Sequence, residues 1–251
     1  MTAVFSDRGI PFAGLWILGL IGLASGPVAG QPASRPASDE LVRHRCQFAY
    51  VLLWSKNFDG ARDEFRKILD SQPNHHEARL GLGLALERKA LADDPPGDLA
   101  LAVAEFARIP ADSPQYPEAA ASRARILTGQ RKFKEAVKLY QELKKKSLLT
   151  DAYRLAYVET LAWDTQYEEA LKELEPLSKR AQVPPEIAKI EGQILAWSGK
   201  TEEALPKLRE ALKAEPKDND LRMDLAAALL RAQQQDEAIE VLAGLPEKAA
   251  R

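Results

Sequence analysis

The sequence predicts an all-α solenoid of about six stacked helix-turn-helix repeats. An alanine recurs every 34 residues, except that the first gap is 41 residues long and holds a seven-residue insertion. A leucine recurs in the same register, and three residues before it stands a residue that is small in nearly every unit. A fixed period of this length is typical of stacked structural units. The alanines are Ala61, Ala102, Ala136, Ala170, Ala204 and Ala238, and the leucines are Leu52, Leu86, Leu127, Leu161, Leu195 and Leu229.

The recurring alanine marks the second helix of each unit. Apolar residues follow it four and seven positions later, as Phe65 and Ile68 do in the first unit. This spacing places all three side chains on one face of an α-helix. Because alanine is small, the two helices of a unit can approach closely there. Pro73, Pro114 and Pro216 stand twelve residues after their alanines, where a proline ends a helix.

The first helix of each unit carries the recurring leucine, and its start is marked by turn and capping residues. Pro117-Glu118 and Pro185-Glu186 place proline in a first helical turn, with a carboxylate near the positive end of the helix dipole. Thr150-Asp151 and Asn219-Asp220 supply capping side chains. These signals place the repeats at about 42–75, 76–116, 117–150, 151–184, 185–218 and 219–251. The insertion, around Ala92–Gly97, is expected to form a surface loop.

The first forty residues are not part of the solenoid. Residues 1–30 have the layout of a secretory signal peptide, with Arg8, an apolar run from Ile10 to Ala24 and small residues before Gly30. The run is short for a membrane span, which needs about 20 residues, and an uncleaved N-terminal anchor is the alternative. Residues 31–40 are rich in proline, alanine and serine and predict a flexible linker. The solenoid is expected to occupy residues 41–251, outside the cytoplasmic membrane, in a periplasm or as a secreted protein.

In its columns and period the chain resembles the tetratricopeptide repeat family over roughly residues 42–251. The resemblance implies a right-handed solenoid whose first helices line a concave groove. One family feature is absent, since the early tryptophan of the repeat is replaced by arginine or alanine, as at Arg45 and Ala120. The lysines and asparagines with which some family members hold a chaperone carboxylate are also missing from the groove columns. A cytosolic co-chaperone role is therefore disfavoured.

Composition and motifs argue against nucleic-acid binding and against catalysis. Lys and Arg total 35 and Asp and Glu total 37, a formal charge of −2 without a basic stripe, whereas nucleic-acid binding depends on neutralising phosphates. No phosphate-binding glycine loop, metalloprotease helix or nucleophile motif is present. His75 and His76 are adjacent and do not share a helix face, so they predict no metal site. Cys46 is the only cysteine, and we expect it to be a buried apolar residue rather than half of an intermolecular disulfide. We expect no cofactor.

Binding is the function that remains, and the first-helix columns supply the candidate residues. Three tryptophans stand two residues after the recurring leucine, in similar settings at the end of a first helix. They either pack across the turn onto neighbours such as Phe58 and Tyr167, or form an aromatic ladder for a partner. The Leu-Ala-Trp turn is similar to that of repeat arrays in bacterial envelope proteins, including scaffolds of exopolysaccharide secretion. The predicted groove residues are Arg43, Tyr50, Trp54, Arg125, Glu159, Trp163, Gln193 and Trp197.

The predicted function is that of a non-catalytic exported scaffold, which holds an extended peptide or a helix in an envelope assembly linked to polysaccharide secretion. A carbohydrate-binding surface that uses the tryptophans and a membrane-anchored assembly factor are the alternatives. No nucleic acid is expected as a partner, and a membrane only if the N-terminal segment is retained. The last repeat carries Ile239, Leu242 and Leu245 without a polar capping helix after it, which predicts self-association through this end.

Overall fold

The structure is a computed structural model that describes residues 37–93, 97 and 99–245. These residues form twelve α-helices and no strand, arranged as six helix-turn-helix units, so the predicted solenoid of about six repeats is confirmed. The helices are α1 (Ala37–Trp54), α2 (Phe58–Ser71), α3 (His76–Ala92), α4 (Ala100–Ala107), α5 (Tyr116–Gly129), α6 (Phe133–Lys145), α7 (Asp151–Trp163), α8 (Tyr167–Ser178), α9 (Pro185–Trp197), α10 (Thr201–Ala214), α11 (Asn219–Arg231) and α12 (Gln235–Ala243).

Each helix packs against the next one along the chain, and first helices of neighbouring units also touch, as α1 does with α3 and α9 with α11. The recurring alanine is fully buried in every unit, since all six copies have no exposed surface. A larger side chain there would have to push the two helices apart. Of residues 37–93, 97 and 99–245, no helix is both long enough and apolar enough to cross a membrane.

The structure describes only the last part of the predicted N-terminal segments. Helix α1 begins at Ala37, so the last four residues of the predicted linker 31–40 are helical. Asp39 and Glu40 lie in its first turn, where the positive end of the helix dipole favours carboxylates. The predicted signal peptide, residues 1–30, and the rest of the linker lie outside the described residues.

The turn inside a unit is made by one residue with left-handed backbone at the fifteenth repeat position. Lys56, Arg131, Thr165 and Gln233 have φ between 60° and 63°, and Gly199 has φ 84°. The amide after this residue donates to the carbonyl of the recurring leucine, as from Asn57 to Leu52 at 2.9 Å. This pair of features is a Schellman motif, which closes the C-terminus of a helix.

The second unit lacks this turn. Helix α3 continues through the fifteenth position, Ala90, and ends at Ala92, and α4 is only eight residues long. The predicted insertion loop therefore begins after a lengthened first helix, and most of its residues lie outside the described part of the chain. At the start of α3 the Nδ1 of His75 accepts a hydrogen bond from the Ala78 amide at 3.1 Å, so this histidine caps a helix.

The buried apolar side chains form two clusters that meet at α9. The first runs from Cys46 to Ile194, and the second runs from Ala188 to Ala238. Helix α9 contributes Ile190 and Ile194 to the first cluster and Leu195 to the second, because its opposite sides face α8 and α11. The buried core thus consists of two clusters, to both of which α9 contributes side chains.

Candidate functional site

One face of the first helices carries every residue predicted to line the groove. We call it the first-helix face and define it by the second, ninth and thirteenth repeat positions, which are spaced by seven and four residues and so share one side of a helix. Arg43, Tyr50 and Trp54 occupy these positions on α1. The others are Arg125 on α5, Glu159 and Trp163 on α7, and Gln193 and Trp197 on α9.

The three tryptophans lie at the thirteenth position and are solvent-exposed. The exposed fraction is 67% for Trp54, 49% for Trp163 and 43% for Trp197. None of them is a fully buried core residue. Large exposed aromatic side chains are common anchors of protein interfaces. A binding role for the tryptophans stays a prediction.

The fifth repeat position also lies on the first helices. Unlike the tryptophans, the residues at this position in the first three units are buried. Cys46, Leu80 and Ala121 are no more than 5% exposed. They face the next first helix in the stack, which covers them. Burial raises the pKa of the Cys46 thiol to about 12, and the nearby Glu77 carboxylate adds to the shift, so this cysteine is a protonated core residue, as the sequence predicted.

Aromatic packing fixes the N-terminal end of the first-helix face. The Tyr50 ring meets the buried Phe65 ring edge-on at 5.1 Å between centroids, and it lies 6.0 Å from the Trp54 ring. The Tyr50 hydroxyl donates to the Glu77 carbonyl at 3.3 Å. Tyr50 is therefore a fixed support for the exposed Trp54. Arg43 is exposed and makes no hydrogen bond or ion pair with any described residue.

Two predicted site residues are held by neighbouring units. Arg125 donates from Nη2 to the buried Glu87 carboxylate at 2.8 Å and so joins the second unit to the third. Gln193 donates from Nε2 to Asp224 at 2.6 Å and joins the fifth unit to the sixth. Both side chains therefore stabilise the stack, because each satisfies a carboxylate of an adjacent first helix.

Carboxylates concentrate on the C-terminal half of the first-helix face. Glu159 makes no hydrogen bond or ion pair with a described residue, and burial raises its pKa, with a further rise from Glu186 on α9. Burial also raises the pKa of Asp224, at the adjacent sixth repeat position, although the Gln193 hydrogen bond and the Lys189 charge act in the opposite direction. Like charges that face each other on adjacent helices are costly to keep ionised. Glu159, Glu186 and Asp220 thus lie on this surface without an ion-pair partner among the described residues.

The cations of this region are already engaged. Lys189 forms an ion pair with Asp218, and the Arg231 Nη1 donates to the Ala196 carbonyl at 3.1 Å. We call the resulting surface the acidic–aromatic patch. Its residues are Glu159, Trp163, Glu186, Trp197, Asp220 and Asp224.

Sequence reasoning predicted Glu159 as a groove residue but missed the other carboxylates of this patch. Glu186 and Asp220 occupy the second repeat position, as do Glu77 and Glu118 in earlier units. These carboxylates recur in the same register as the alanines. Because a carboxylate near a helix start is favoured by the helix dipole, the sequence alone gives no reason to place them in a binding site. In the described part of the chain, no group of three or more His, Cys, Asp or Glu side chains could hold a metal ion.

Two family models match the chain, and both are described as tetratricopeptide repeat. One matches residues 46–117 and the other residues 197–251, together about half of the sequence. No curated protein matches it.

Solved structures are similar in fold. A tetratricopeptide repeat protein from Parabacteroides merdae has a TM-score of 0.66 at 12% identity, with 81% of this chain and 78% of that chain covered. The pilF protein of Pseudomonas aeruginosa has a TM-score of 0.60 at 16% identity, covering 81% and 89%. The C-terminal part of a repeat protein from Cytophaga hutchinsonii has a TM-score of 0.59 at 14% identity, covering 79% of each chain. Identities this low show a shared fold alone.

Proposed function

We propose that this chain, which belongs to the tetratricopeptide repeat family, is a non-catalytic scaffold that binds a protein partner along its first-helix face. Exposure of three tryptophans at equivalent repeat positions supports this proposal. Solvent-exposed tryptophans in register offer anchors for an extended peptide or a helix that runs across the repeats.

The acidic–aromatic patch specifies the chemistry of that partner. Glu159, Glu186 and Asp220 lack a cation within the described residues, and the rings of Trp163 and Trp197 lie on the same surface. A lysine or arginine side chain can pair with these carboxylates and stack on an indole face, and a cation–π contact contributes about 0.5–1 kcal/mol at an exposed site. The partner segment is therefore basic.

Placement in a bacterial envelope assembly, including one of polysaccharide secretion, is part of the same proposal. It is supported by the signal-peptide layout of residues 1–30 and by the Leu-Ala-Trp turns. The protein would then act after export, in a periplasm or outside the cell. If residues 1–30 are instead retained as an anchor, the chain is a membrane-attached assembly factor, and the mass of the mature N-terminus distinguishes the two.

The decisive experiment combines cross-linking and affinity capture from the native envelope with a triple variant, Trp54→Ala/Trp163→Ala/Trp197→Ala. The matched control is Leu101→Ala, which truncates an exposed leucine on the second helix α4, away from the first-helix face. All proteins are first compared for helicity by circular dichroism. We expect the parent and the control to capture a partner and the folded triple variant to lose it.

A second step tests the charge of the captured segment. Glu159→Gln/Glu186→Gln should weaken binding of a lysine-bearing peptide from the partner, and binding should weaken as salt rises. A partner that is retained by both sets of variants would contradict the proposal.

A carbohydrate ligand is the second candidate, because exposed indole faces can stack on sugar rings. Soluble glycans that quench tryptophan fluorescence in the parent, but not in the triple variant, would favour that function.

A further inference from the structure

The two ends of the stack expose side chains at positions that are buried in the other units. At the C-terminal end, Leu230 is 53% exposed. It occupies the twelfth repeat position, whose other five members are no more than 7% exposed because the next first helix covers them. Ile239, at the twenty-first position, is 65% exposed, whereas Leu205 at the equivalent position is 2% exposed. The last unit thus presents an uncovered stacking surface.

The N-terminal end also exposes an apolar side chain at a position that is buried in every other unit. Val51 is 54% exposed at the tenth repeat position, where the five other members, which face the preceding unit, are no more than 5% exposed. Phe48 and Leu41 lie on the same side of α1 and are 53% and 60% exposed. Since Cys46, Ala49 and Leu53 on the opposite side of α1 are buried, this helix is apolar on two sides. A helix of this kind is usually covered on both.

Contacts inside the chain show how such surfaces fit together. The hydroxyl groups of Thr128 and Thr160 lie 2.9 Å apart, and they occupy the twelfth position of one unit and the tenth position of the next. Leu230 and Val51 occupy the same two positions at opposite ends of the stack. Both are aliphatic, so an equivalent contact between two chains would be apolar where the internal one is a hydrogen bond.

We propose that the C-terminal end of one copy stacks on the N-terminal end of a second copy, with Leu230 against Val51. The contact continues the internal unit-to-unit packing and buries Leu230, Ile239, Val51 and Phe48. Because the two surfaces differ, the interface is heterologous, and repetition of it produces a ring or an open filament rather than a closed dimer. This inference is independent of the partner on the first-helix face.

The test uses the full chain in a nonionic detergent, so that the apolar run from Ile10 to Ala24 is shielded. Val51→Glu disables the N-terminal surface and Leu230→Glu disables the C-terminal surface. Leu101→Glu is the matched control, at an exposed leucine of α4. All three positions are more than half exposed, so the variants should remain folded, which circular dichroism checks.

Sedimentation velocity should show species larger than one chain for the parent and for the control, and loss of those species for each variant alone. An equimolar mixture of Val51→Glu and Leu230→Glu should recover a species of two chains and no larger one, because each supplies the surface that the other lacks.

Three results would overturn the proposal. A parent that stays monomeric at high micromolar concentration shows that the ends do not associate. Association that survives Val51→Glu but not Leu230→Glu shows a symmetric contact between C-terminal ends. Association that survives both variants places the contact elsewhere, for example in residues 1–36.

Discussion

Gly81 lies directly under the ring of Phe65 and offers a sharp test of how neighbouring units pack. A Cβ atom added at Gly81 would lie 2.2 Å from the Phe65 Cζ and 2.4 Å from its Cε1, far closer than real Cβ contacts. The ring cannot move away easily, because Phe65 has no exposed surface. In the fourth and fifth units the residue equivalent to Phe65 is a leucine, and the residue equivalent to Gly81 in the following unit is larger.

The perturbation is Gly81→Ala, and two terms of opposite sign set its magnitude. Overpacking a close-packed core costs about 1–3 kcal/mol. Replacing glycine with alanine inside a helix returns about 1 kcal/mol. Because the added Cβ would lie only 2.2 Å from the ring, the overpacking cost belongs in the upper part of its range, about 2–3 kcal/mol, and the net destabilisation should be about 1–2 kcal/mol.

A rescue variant separates steric conflict from other causes. Phe65→Leu alone removes buried ring atoms and should also destabilise the chain. In the double variant the leucine leaves room for the alanine methyl group, so the combined loss should be smaller than the sum of the two by about 1 kcal/mol.

The assay is urea unfolding followed by circular dichroism, with the denaturant slope checked in each variant, since long repeat arrays can depart from two-state unfolding. A Gly81→Ala protein as stable as the parent would refute the steric reasoning, as would strictly additive losses in the double variant.

Other substitutions probe the turns, the charged face and the core. Gly199→Ala should destabilise the chain by about 1 kcal/mol, because φ is 84° there and a Cβ would meet no atom within 4 Å. Thr165→Gly, at the equivalent position with φ 60°, should stabilise the chain. Thermal unfolding measures both variants, and midpoints that shift in the same direction would contradict a backbone cause. Burial raises the pKa of Glu159 in the folded state. Its contribution to the free energy of unfolding is therefore fully present below the ordinary glutamate pKa and is lost as pH rises through the folded-state pKa. Glu159→Gln should therefore raise the urea midpoint at about pH 7 and leave it unchanged at about pH 4, and a shift that is equal at both pH values would argue against this cause. The Cys46 thiol, whose pKa burial raises to about 12, should react with a thiol reagent only as fast as the chain unfolds, and prompt labelling of the native protein would show that it is accessible.

The repeat columns predict the fold well because each column has a single physical role. Every recurring alanine is fully buried, and every predicted unit contains its two helices. The turn geometry was not predictable in the same way. Lys56, Arg131 and Thr165 adopt left-handed backbone, yet none of them is a residue type that favours it. Their conformation follows from the packing of the two flanking helices, so tertiary structure overrides local preference.

The candidate site was predicted less completely than the fold. Helical spacing placed the tryptophans on one side of the first helices, but spacing alone does not say what covers that side. Their exposure depends on neighbouring units, which the sequence pattern does not describe. Glu159 was predicted as a groove residue, but Glu186 was not, because it stands at a helix start, where a carboxylate has a sufficient local explanation. The pairing of Arg125 with Glu87 joins residues 38 apart and has no signal in the sequence.

Because α9 contributes to two separate buried clusters, the helices on its two sides can differ in local stability. Helices α10–α12 can open to solvent while α1–α9 keep the first cluster intact, as cooperative subunits of a repeat array do. Amide hydrogen exchange should consequently be slow from α2 to α8 and become faster beyond α9, in α10–α12. A second copy seated on the C-terminal end would close this fraying end, so that assembly and the rigidity of the last repeats would rise together.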